Sequence, residues 1–183
     1  MSTFYVSVDV ETAGPSPDRF AMLSIGAVAV DSMADTFYIE LQPDRPDHDP
    51  QAMSVHGLSL ERLAREGLPP SNAMQQFEEW VLGLARGRKP VFVAYNAPFD
   101  WMFVNVYFHR YLGRNPFGHG ALDMKALYMG ISVTEWPAIG HGDLARRYSV
   151  RPKLTHNALD DAMDQALMFR AMLDQAKQGA LGG

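Results

Sequence analysis

The 183-residue sequence contains no cysteine. This absence excludes a disulfide framework and a thiolate metal site, so a bound metal ion would need Asp, Glu or His ligands. No apolar run approaches the roughly 20 residues needed to cross a bilayer, and the amino terminus has no basic and apolar leader. We therefore expect a soluble, cytoplasmic protein with no membrane partner.

The sequence also has no excess of basic residues: 16 Lys and Arg stand against 21 Asp and Glu, a net charge of −5. This total does not favour a nucleic-acid partner, whose backbone attracts Lys and Arg. The distribution of charge matters more than the total, because carboxylates that hold cations contribute to the negative sum. The length and the 47% hydrophobic content suit one globular domain. We expect a single domain over residues 1–177 and a flexible tail over residues 178–183.

An acidic strand end lies near the amino terminus. Even positions of residues 4–11 are apolar, and the odd positions end in Asp9 and Glu11. Side chains two residues apart on a strand share a face, so both carboxylates point the same way. Like charges on one face repel unless a positive charge lies between them. We interpret the pair as a candidate cation site, with the acidic exit of a half-buried strand as the alternative.

The rest of the pattern predicts an α/β protein with a mixed sheet flanked by helices. Apolar alternation and compact apolar runs predict strands at 22–30, 36–41 and 90–95. The first three strands are expected to form an antiparallel meander. Helical spacing and caps predict helices at 71–87, from 96–98 onward, at 122–129, at 142–147 and at 157–177. The first of these is expected to be capped by Ser71.

The segment between residues 43 and 50 resembles a metal site only in its composition. Its candidate ligands are Asp44, Asp47, His48 and Asp49. Pro-rich, charged segments without periodicity are typically solvated loops, so we interpret this segment as a loop.

Two further acidic groups lie where helices begin. Asp100 is in the first turn after a strand, where it could simply favour the helix dipole. In the last helix the apolar residues share one face, at Ala162, Ala166, Phe169 and Leu173. At 3.6 residues per turn, Asp160 and Asp164 project from the opposite side, whereas Asp161 borders the apolar stripe. Asp161 is therefore the better candidate for a buried ligand, and His156 would act from the loop before the helix.

Three segments together resemble the exonuclease motifs of the DEDDh family, which includes polymerase proofreading subunits and ribonuclease T. The segments are Asp9-Val10-Glu11-Thr12-Ala13-Gly14, Asn96-Ala97-Pro98-Phe99-Asp100 and His156-Asn157-Ala158-Leu159-Asp160-Asp161. Each is weak alone, but the ordered set, with every member at a strand end or helix start, is specific. The resemblance covers nearly the whole chain and implies a ribonuclease H-like fold with a mixed, mostly five-stranded sheet.

The resemblance assigns Asp9, Glu11, Asp100 and Asp161 to the metal site and His156 to the role of general base. It implies hydrolysis of the 3′-terminal phosphodiester of single-stranded DNA or RNA, which releases nucleoside 5′-monophosphates. Four carboxylates without a thiolate suit hard cations, and they suit two Mg²⁺ or Mn²⁺ ions better than one. A neutral histidine could accept the proton of the attacking water.

Residues for substrate binding are less well defined. The candidates, from the motifs, from the segment around His56 and from a basic run, are Thr12, Pro15, Met22, His56, Asn96, Phe99, Arg146 and Arg147. Met22, His56 and Phe99 could stack on the last base, and the arginines could steer the phosphate backbone. Alternatively, Met22, His56 and Phe99 are core residues, and the basic run is a solvated helix end. Tyr95 replaces the histidine of many relatives, and Pro15 replaces a wedge residue of ribonuclease T-like members.

Three alternatives stay open at this point. The chain could be a non-catalytic docking module of a polymerase or repair complex, or an oligoribonuclease that acts on short RNA. A homodimer or a polymerase or repair partner is also compatible with the sequence.

Overall fold

The computed structural model describes residues 2–181, which form a five-stranded mixed sheet with helices on both faces. The strands are β1 (Thr3–Thr12), β2 (Met22–Ala29), β3 (Thr36–Glu40), β4 (Lys89–Ala94) and β5 (Ala121–Asp123). They lie in the order β3-β2-β1-β4-β5. The predicted antiparallel meander of β1, β2 and β3 is confirmed, and β4 and β5 extend the sheet in parallel with β1.

Seven α-helices accompany the sheet within residues 2–181, together with a short 3₁₀ helix at Trp136–Ala138. They are α1 (Pro50–His56), α2 (Leu60–Glu66), α3 (Pro70–Ala85), α4 (Pro98–Leu112), α5 (Met124–Ser132), α6 (His141–Arg147) and α7 (Ala158–Leu181). Helices α3 and α4 pack on one face of the sheet, and α5, α6 and α7 pack on the other. None of the helices in this described part is long and apolar enough to cross a membrane.

Both faces of β1 are covered by helices, and the even and odd positions of its alternating pattern face different helices. The even positions, from Phe4 to Val10, are buried against α3 and α4. The odd positions face α7: the ring of Tyr5 packs edge-on against Phe169, with 5.1 Å between ring centroids. Further along, the hydroxyl of Ser7 donates a 2.8 Å hydrogen bond to the carbonyl of Ala162. The two acidic residues at the end of this row therefore point toward the start of α7.

A glycine in β2 allows α7 to begin directly on the sheet. A Cβ atom at Gly26 would lie 2.1 Å from the carbonyl carbon of Ala158 and 2.2 Å from the amide nitrogen of Leu159. Gly26 is paired with Asp9 in the β1–β2 ladder. The absence of a side chain at Gly26 thus sets the distance between the first turn of α7 and the acidic end of β1.

The structure differs from the expected local structure at one helix cap, in three short elements and at the end of α7. Helix α3 begins at Pro70 with Pro69 as its N-cap, so Ser71 lies inside the helix and does not cap it. The short elements α1, α2 and β5 were not expected from the sequence. Helix α7 continues to Leu181, beyond the expected helix end at residue 177. The flexibility of the tail at residues 178–183 stays a prediction, and residues 182–183 lie outside the described residues.

The acidic loop at residues 43–50 is held by contacts within the protein. Asp44 accepts hydrogen bonds from the hydroxyls of Tyr107 and Tyr111. Asp47 pairs with Arg19, and Asp49 caps the first turn of α1. These partners agree with the interpretation of the segment as a loop.

Candidate active site

The acidic residues of β1 meet Asp100 at the carboxyl end of the parallel strands. Strand β4 ends at Ala94, and the first turn of α4 carries Asp100 back toward β1. Asp100 is buried, and its Oδ1 accepts a 3.1 Å hydrogen bond from the backbone N–H of Val10. This bond places the Asp100 carboxylate beside the strand residue that lies between Asp9 and Glu11.

Asp161 closes the site from α7 and also organises the loop that carries His156. Its Oδ1 accepts hydrogen bonds from the backbone N–H and the hydroxyl of Thr155, at 2.8 and 2.9 Å. Its Oδ2 accepts a 2.8 Å bond from the backbone N–H of His156, a residue with a φ of 57°. Ligand atoms of Glu11, His156 and Asp161 all lie within 4.8 Å of one another.

These groups line one cavity of about 270 Å³ at the carboxyl end of the parallel strands. The polar and charged lining residues are Asp9, Glu11, Asn96, Asp100, His156 and Asp161. Val10, Tyr95, Phe99 and Leu154 complete the lining. The structure therefore brings together all five residues that the sequence predicts for the metal site and the general base, although they span more than 150 positions of the chain.

The carboxylates of the cavity repel one another in a buried environment. Burial is the largest factor that raises the pKa of Glu11 to about 8, and the charges of Asp161 and Asp100 add to it. Burial likewise raises the pKa of Asp100 to about 7. The pKa of Asp9 is well above its usual value, because of burial and then the charges of Asp100, Glu11 and Asp161. The cavity thus favours either protonation or a bound cation.

The donor set fits a divalent cation. Carboxylate oxygens are the ligands that hard ions such as Mg²⁺ and Mn²⁺ prefer, and one imidazole does not alter that preference. A cation between Asp9, Glu11, Asp100 and Asp161 would replace the repulsion among them by attraction.

One expectation about α7 is wrong. Asp164 does not project into solvent but is buried, and one of its oxygens accepts a 2.9 Å hydrogen bond from the guanidinium of Arg151. The helical phase was correct for Asp161, which is 2% exposed, and for Asp160, which is exposed. Asp164 differs because the loop before α7 folds back and supplies a cation.

Two of the predicted substrate-binding residues line the cavity. Asn96 is exposed and has a left-handed backbone with a φ of 59°. Phe99 is half-buried in the first turn of α4. The hydroxyl of Thr12 is directed inward to the carbonyl of Gly14, and Pro15 is exposed on the loop beyond it.

His56 lies near His156 and is held as a neutral imidazole. Its Nδ1 accepts a 3.0 Å bond from the N–H of Leu58, so its Nε2 carries the proton and donates to the carbonyl of Thr12 at 3.1 Å. Burial lowers the pKa of His56, and the neighbouring His156 lowers it further. Both nitrogens are occupied, so His56 can offer only its ring face or edge to a ligand.

Three of the predicted substrate-binding residues lie outside the cavity lining. Met22 is fully buried in the core, so its side chain does not reach a bound base. Arg146 pairs with Asp143, and the guanidinium of Arg147 lies over the ring of Tyr128 at 5.8 Å. Neither arginine lines the cavity, but both are exposed on α6, so their role in steering the phosphate backbone stays a prediction.

Sequence reasoning did not assign a role to three residues of this region. Gln165, one helical turn after Asp161, donates a 2.8 Å hydrogen bond to Asp9. The hydroxyl of Tyr95 donates to the carbonyl of Ile139, and Leu154 forms part of the cavity wall. The i to i+4 spacing from Asp161 was the signal that could have indicated Gln165.

A mixed sheet that gathers four carboxylates and a histidine at the end of its parallel strands is typical of ribonuclease H-like exonucleases. The family model described as Exonuclease, RNase_T, matches residues 6–169. The chain therefore belongs to this exonuclease family. Its structural neighbours include a member of the DEDDh family.

Two curated relatives differ in how much of their length this chain covers. The 3′-5′ DNA exonuclease Cap18 of Escherichia coli is 46% identical over 167 residues, which span 91% of this chain and 89% of that protein. The PolC-type DNA polymerase III of Staphylococcus haemolyticus is 29% identical over 180 residues. That match spans 95% of this chain but 12% of the polymerase.

Solved structures confirm the fold. The nuclease domain of 3′hExo, a DEDDh family member bound to rAMP, matches with a TM-score of 0.75 and 15% identity, over 93% of this chain and 92% of that one. Escherichia coli exonuclease I in complex with a dT13 oligonucleotide matches with a TM-score of 0.73 and 16% identity, over 98% of this chain and 42% of that one. These low identities support the fold alone.

Proposed function

We propose that this protein is a 3′–5′ exonuclease that hydrolyses the terminal phosphodiester of single-stranded DNA and releases nucleoside 5′-monophosphates. The observation that carries the proposal is the convergence of Asp9, Glu11, Asp100, Asp161 and His156 on one cavity. The choice of DNA over RNA is supported by the Cap18 relative, which is named as a DNA exonuclease and matches over most of its length.

The four carboxylates are proposed to hold two Mg²⁺ or Mn²⁺ ions. When bound, such a pair lowers the pKa of the attacking water and stabilises the leaving oxygen of an in-line displacement at phosphorus. Asp9 and Glu11 supply ligands from a strand that is fixed on both faces, whereas Asp100 and Asp161 supply them from first turns of helices. Sites built on regular elements hold their geometry within narrow limits.

His156 is proposed as the general base. Its backbone is fixed by Asp161, while its imidazole stands in the cavity within reach of Glu11. An imidazole in this position accepts the proton of the attacking water and returns it to solvent. The left-handed backbone of His156 turns the side chain inward from a loop, which a helical residue five positions before Asp161 could not do.

The walls of the cavity are proposed to bind the terminal nucleotide. Phe99 and Leu154 offer apolar surface to a base or sugar, and the amide of Asn96 can bond to a phosphate or sugar oxygen. His56 would contribute its ring, with Thr12 at the end of β1 and Pro15 on the loop after it. A base that stacks on such groups is held without regard to its identity.

The test is a time course on 5′-labelled and 3′-labelled single strands of DNA and RNA with the same sequence, in Mg²⁺, Mn²⁺ or EDTA. We expect a metal-dependent ladder that shortens the 5′-labelled DNA stepwise, and its loss in Glu11→Gln, which removes a ligand charge at constant size. Cleavage confined to very short RNA would instead identify an oligoribonuclease. A protein that neither binds metal nor cleaves either polymer would be a docking module.

The proposal extends to location and assembly. We propose a cytoplasmic location, and either a homodimer or a complex with a polymerase or repair partner. The polymerase relative supports a role in replication or repair. Light scattering of the purified protein, with and without single-stranded DNA, measures whether it forms a homodimer.

A further inference from the structure

Gln165 connects two parts of the active site from the buried side of α7. Its side-chain oxygen Oε1 accepts a 2.7 Å hydrogen bond from the backbone N–H of Tyr95, at the end of β4. Its Nε2 donates a 2.8 Å bond to Oδ1 of Asp9, on β1. Gln165 is 2% exposed, so water does not replace either bond.

The direction of both bonds follows from the chemistry of the partners. A backbone N–H can only donate, so the oxygen of the Gln165 amide must face Tyr95, and its NH₂ group must face Asp9. An amide that is fixed at one end in this way presents a donor at a constant position. Oδ1 of Asp9 is therefore held as a hydrogen-bond acceptor, and the carboxylate is fixed in one orientation.

The position of Gln165 relative to the sheet is itself fixed. The carbonyl of Ala162, one turn earlier, accepts the hydroxyl of Ser7, and the start of α7 rests on the backbone at Gly26. Both contacts lie beside β1. Movement of α7 along or away from β1 would break them, so the donor on Gln165 keeps its distance from Asp9.

Asp9 has a particular need for such a donor. Its side chain lines the same cavity as Asp100, Glu11 and Asp161, whose ionised carboxylates can only accept hydrogen bonds. A carboxylate without the bond from Gln165 would rotate more readily, and loss of its orientation weakens a metal ligand.

We propose that Gln165 is a positioning residue that holds the Asp9 carboxylate ready to bind metal and couples it to the turn at Tyr95. This inference rests on the proposed function, because it takes Asp9 to be a metal ligand. Residues that orient a metal ligand from behind typically contribute 10- to 100-fold to metal affinity or activity. The effect of Gln165 should therefore appear in metal binding itself.

The experiment compares Gln165→Met with Gln175→Met, using the full chain. Gln175 lies on the same helix and accepts a hydrogen bond from the hydroxyl of Tyr148, away from the cavity. We measure the apparent Kd for Mn²⁺ by calorimetry and the melting temperature with EDTA and with Mn²⁺. We expect Gln165→Met to raise the Kd about 10- to 100-fold and to reduce the stabilisation by Mn²⁺, with Gln175→Met unchanged.

If Gln165→Met does not fold, Gln165→Glu decides in its place. It keeps an acceptor for Tyr95 but sets an acceptor against Asp9, so the Kd for Mn²⁺ should again rise at least about 10-fold. A Kd equal to that of the wild type in the folded variant would overturn the inference. Asp9→Asn separates this failure from failure of the proposed function: if it too binds Mn²⁺ like the wild type, Asp9 is not a ligand and the proposed metal site is wrong.

Discussion

The backbone N–H of His156 donates a 2.8 Å hydrogen bond to Oδ2 of Asp161. The same carboxylate also accepts two bonds from Thr155, so it fixes the loop that carries the proposed base while its remaining lone pairs face the cavity. The proposed metal ligand and the anchor of the proposed general base are thus one side chain, and we expect the two functions to fail together when it is changed.

This relationship predicts unequal losses in two variants. His156→Ala should reduce the rate about 10²- to 10⁴-fold and leave Mn²⁺ binding close to that of the wild type, because a general base contributes that much and the carboxylates remain. Asp161→Asn should remove both activity and Mn²⁺ binding. Single-turnover cleavage and calorimetry measure the two effects, and Asp160→Asn, an exposed neighbour, is the control. Equal residual activity in both variants would contradict the separate roles.

The raised pKa values predict that the metal-free protein loses stability as the pH rises. The pKa of Glu11 is raised to about 8 and that of Asp100 to about 7, so between about pH 4 and 8 the native state binds more protons than the unfolded state. The free energy of unfolding in EDTA should therefore fall over this range, by an amount on the order of a few kcal/mol.

Denaturant unfolding in EDTA at about pH 6 and about pH 8 measures this loss. Asp100→Asn removes one of the carboxyl groups whose pKa is raised, so its stability should depend less on pH than that of the wild type. Mg²⁺ should restore stability mainly at the higher pH, where the carboxylates are ionised for binding. Stability in EDTA that rises with pH, equally in both proteins, would be evidence against the shared burial of these carboxylates.

The sequence was sufficient for the parts of the site that follow from local periodicity. Alternation along β1 placed Asp9 and Glu11 on one face, and helical phase separated Asp161 from Asp160. Asp164 was misjudged because its partner, Arg151, comes from a loop whose path is not encoded in the helix. A helical phase specifies which way a side chain points but not what another segment places there.

Contacts between distant segments account for what the sequence did not show. Gln165 bonds to Tyr95, 70 positions away, and to Asp9, 156 positions away. Met22 was expected to stack on the last base as an apolar group, but β2 begins there and buries it. Helix α1 has a capping aspartate and a proline in its first turn at Asp49-Pro50, and this signal was available but was interpreted as loop composition.

The contact between Gly26 and α7 predicts that a single methyl group disrupts catalysis. In Gly26→Ala the new Cβ would overlap backbone atoms of Ala158, so α7 must move away from β2. Overpacking of this kind costs about 1 to 3 kcal/mol, and a shift of about 1 Å at Asp161 lowers the rate about 10²-fold.

Gly83 in α3 provides the matched control, because a Cβ there meets nothing within 4 Å. Gly83→Ala should keep full activity and raise stability by about 0.5 to 1 kcal/mol, since alanine is the better helix former. Thermal unfolding and the cleavage rate of the two variants are compared in saturating Mg²⁺. If Gly26→Ala retains the activity of Gly83→Ala, the start of α7 does not need its close approach to β2.

The loop at residues 43–50 predicts the opposite pattern, a loss of stability without a loss of metal binding. Asp44 accepts hydrogen bonds from the hydroxyls of Tyr107 and Tyr111 and pairs with Arg110. Asp44→Ala leaves these donors without their acceptor and should cost about 1 to 3 kcal/mol. Asp47→Ala, in a more exposed pair with Arg19, should cost about 0 to 1 kcal/mol.

Denaturant unfolding in EDTA compares the two loop variants, and calorimetry with Mn²⁺ follows the metal site. Both variants should bind Mn²⁺ as the wild type does. Asp44 bonds to Tyr107 and Tyr111, Asp47 bonds to Arg19, and neither aspartate lines the cavity. A selective loss of Mn²⁺ binding in Asp44→Ala, with its folded stability intact, would instead make this aspartate a metal ligand. An acidic, histidine-containing loop has the composition of a metal site. Only the partners of its carboxylates distinguish a structural loop from a metal site.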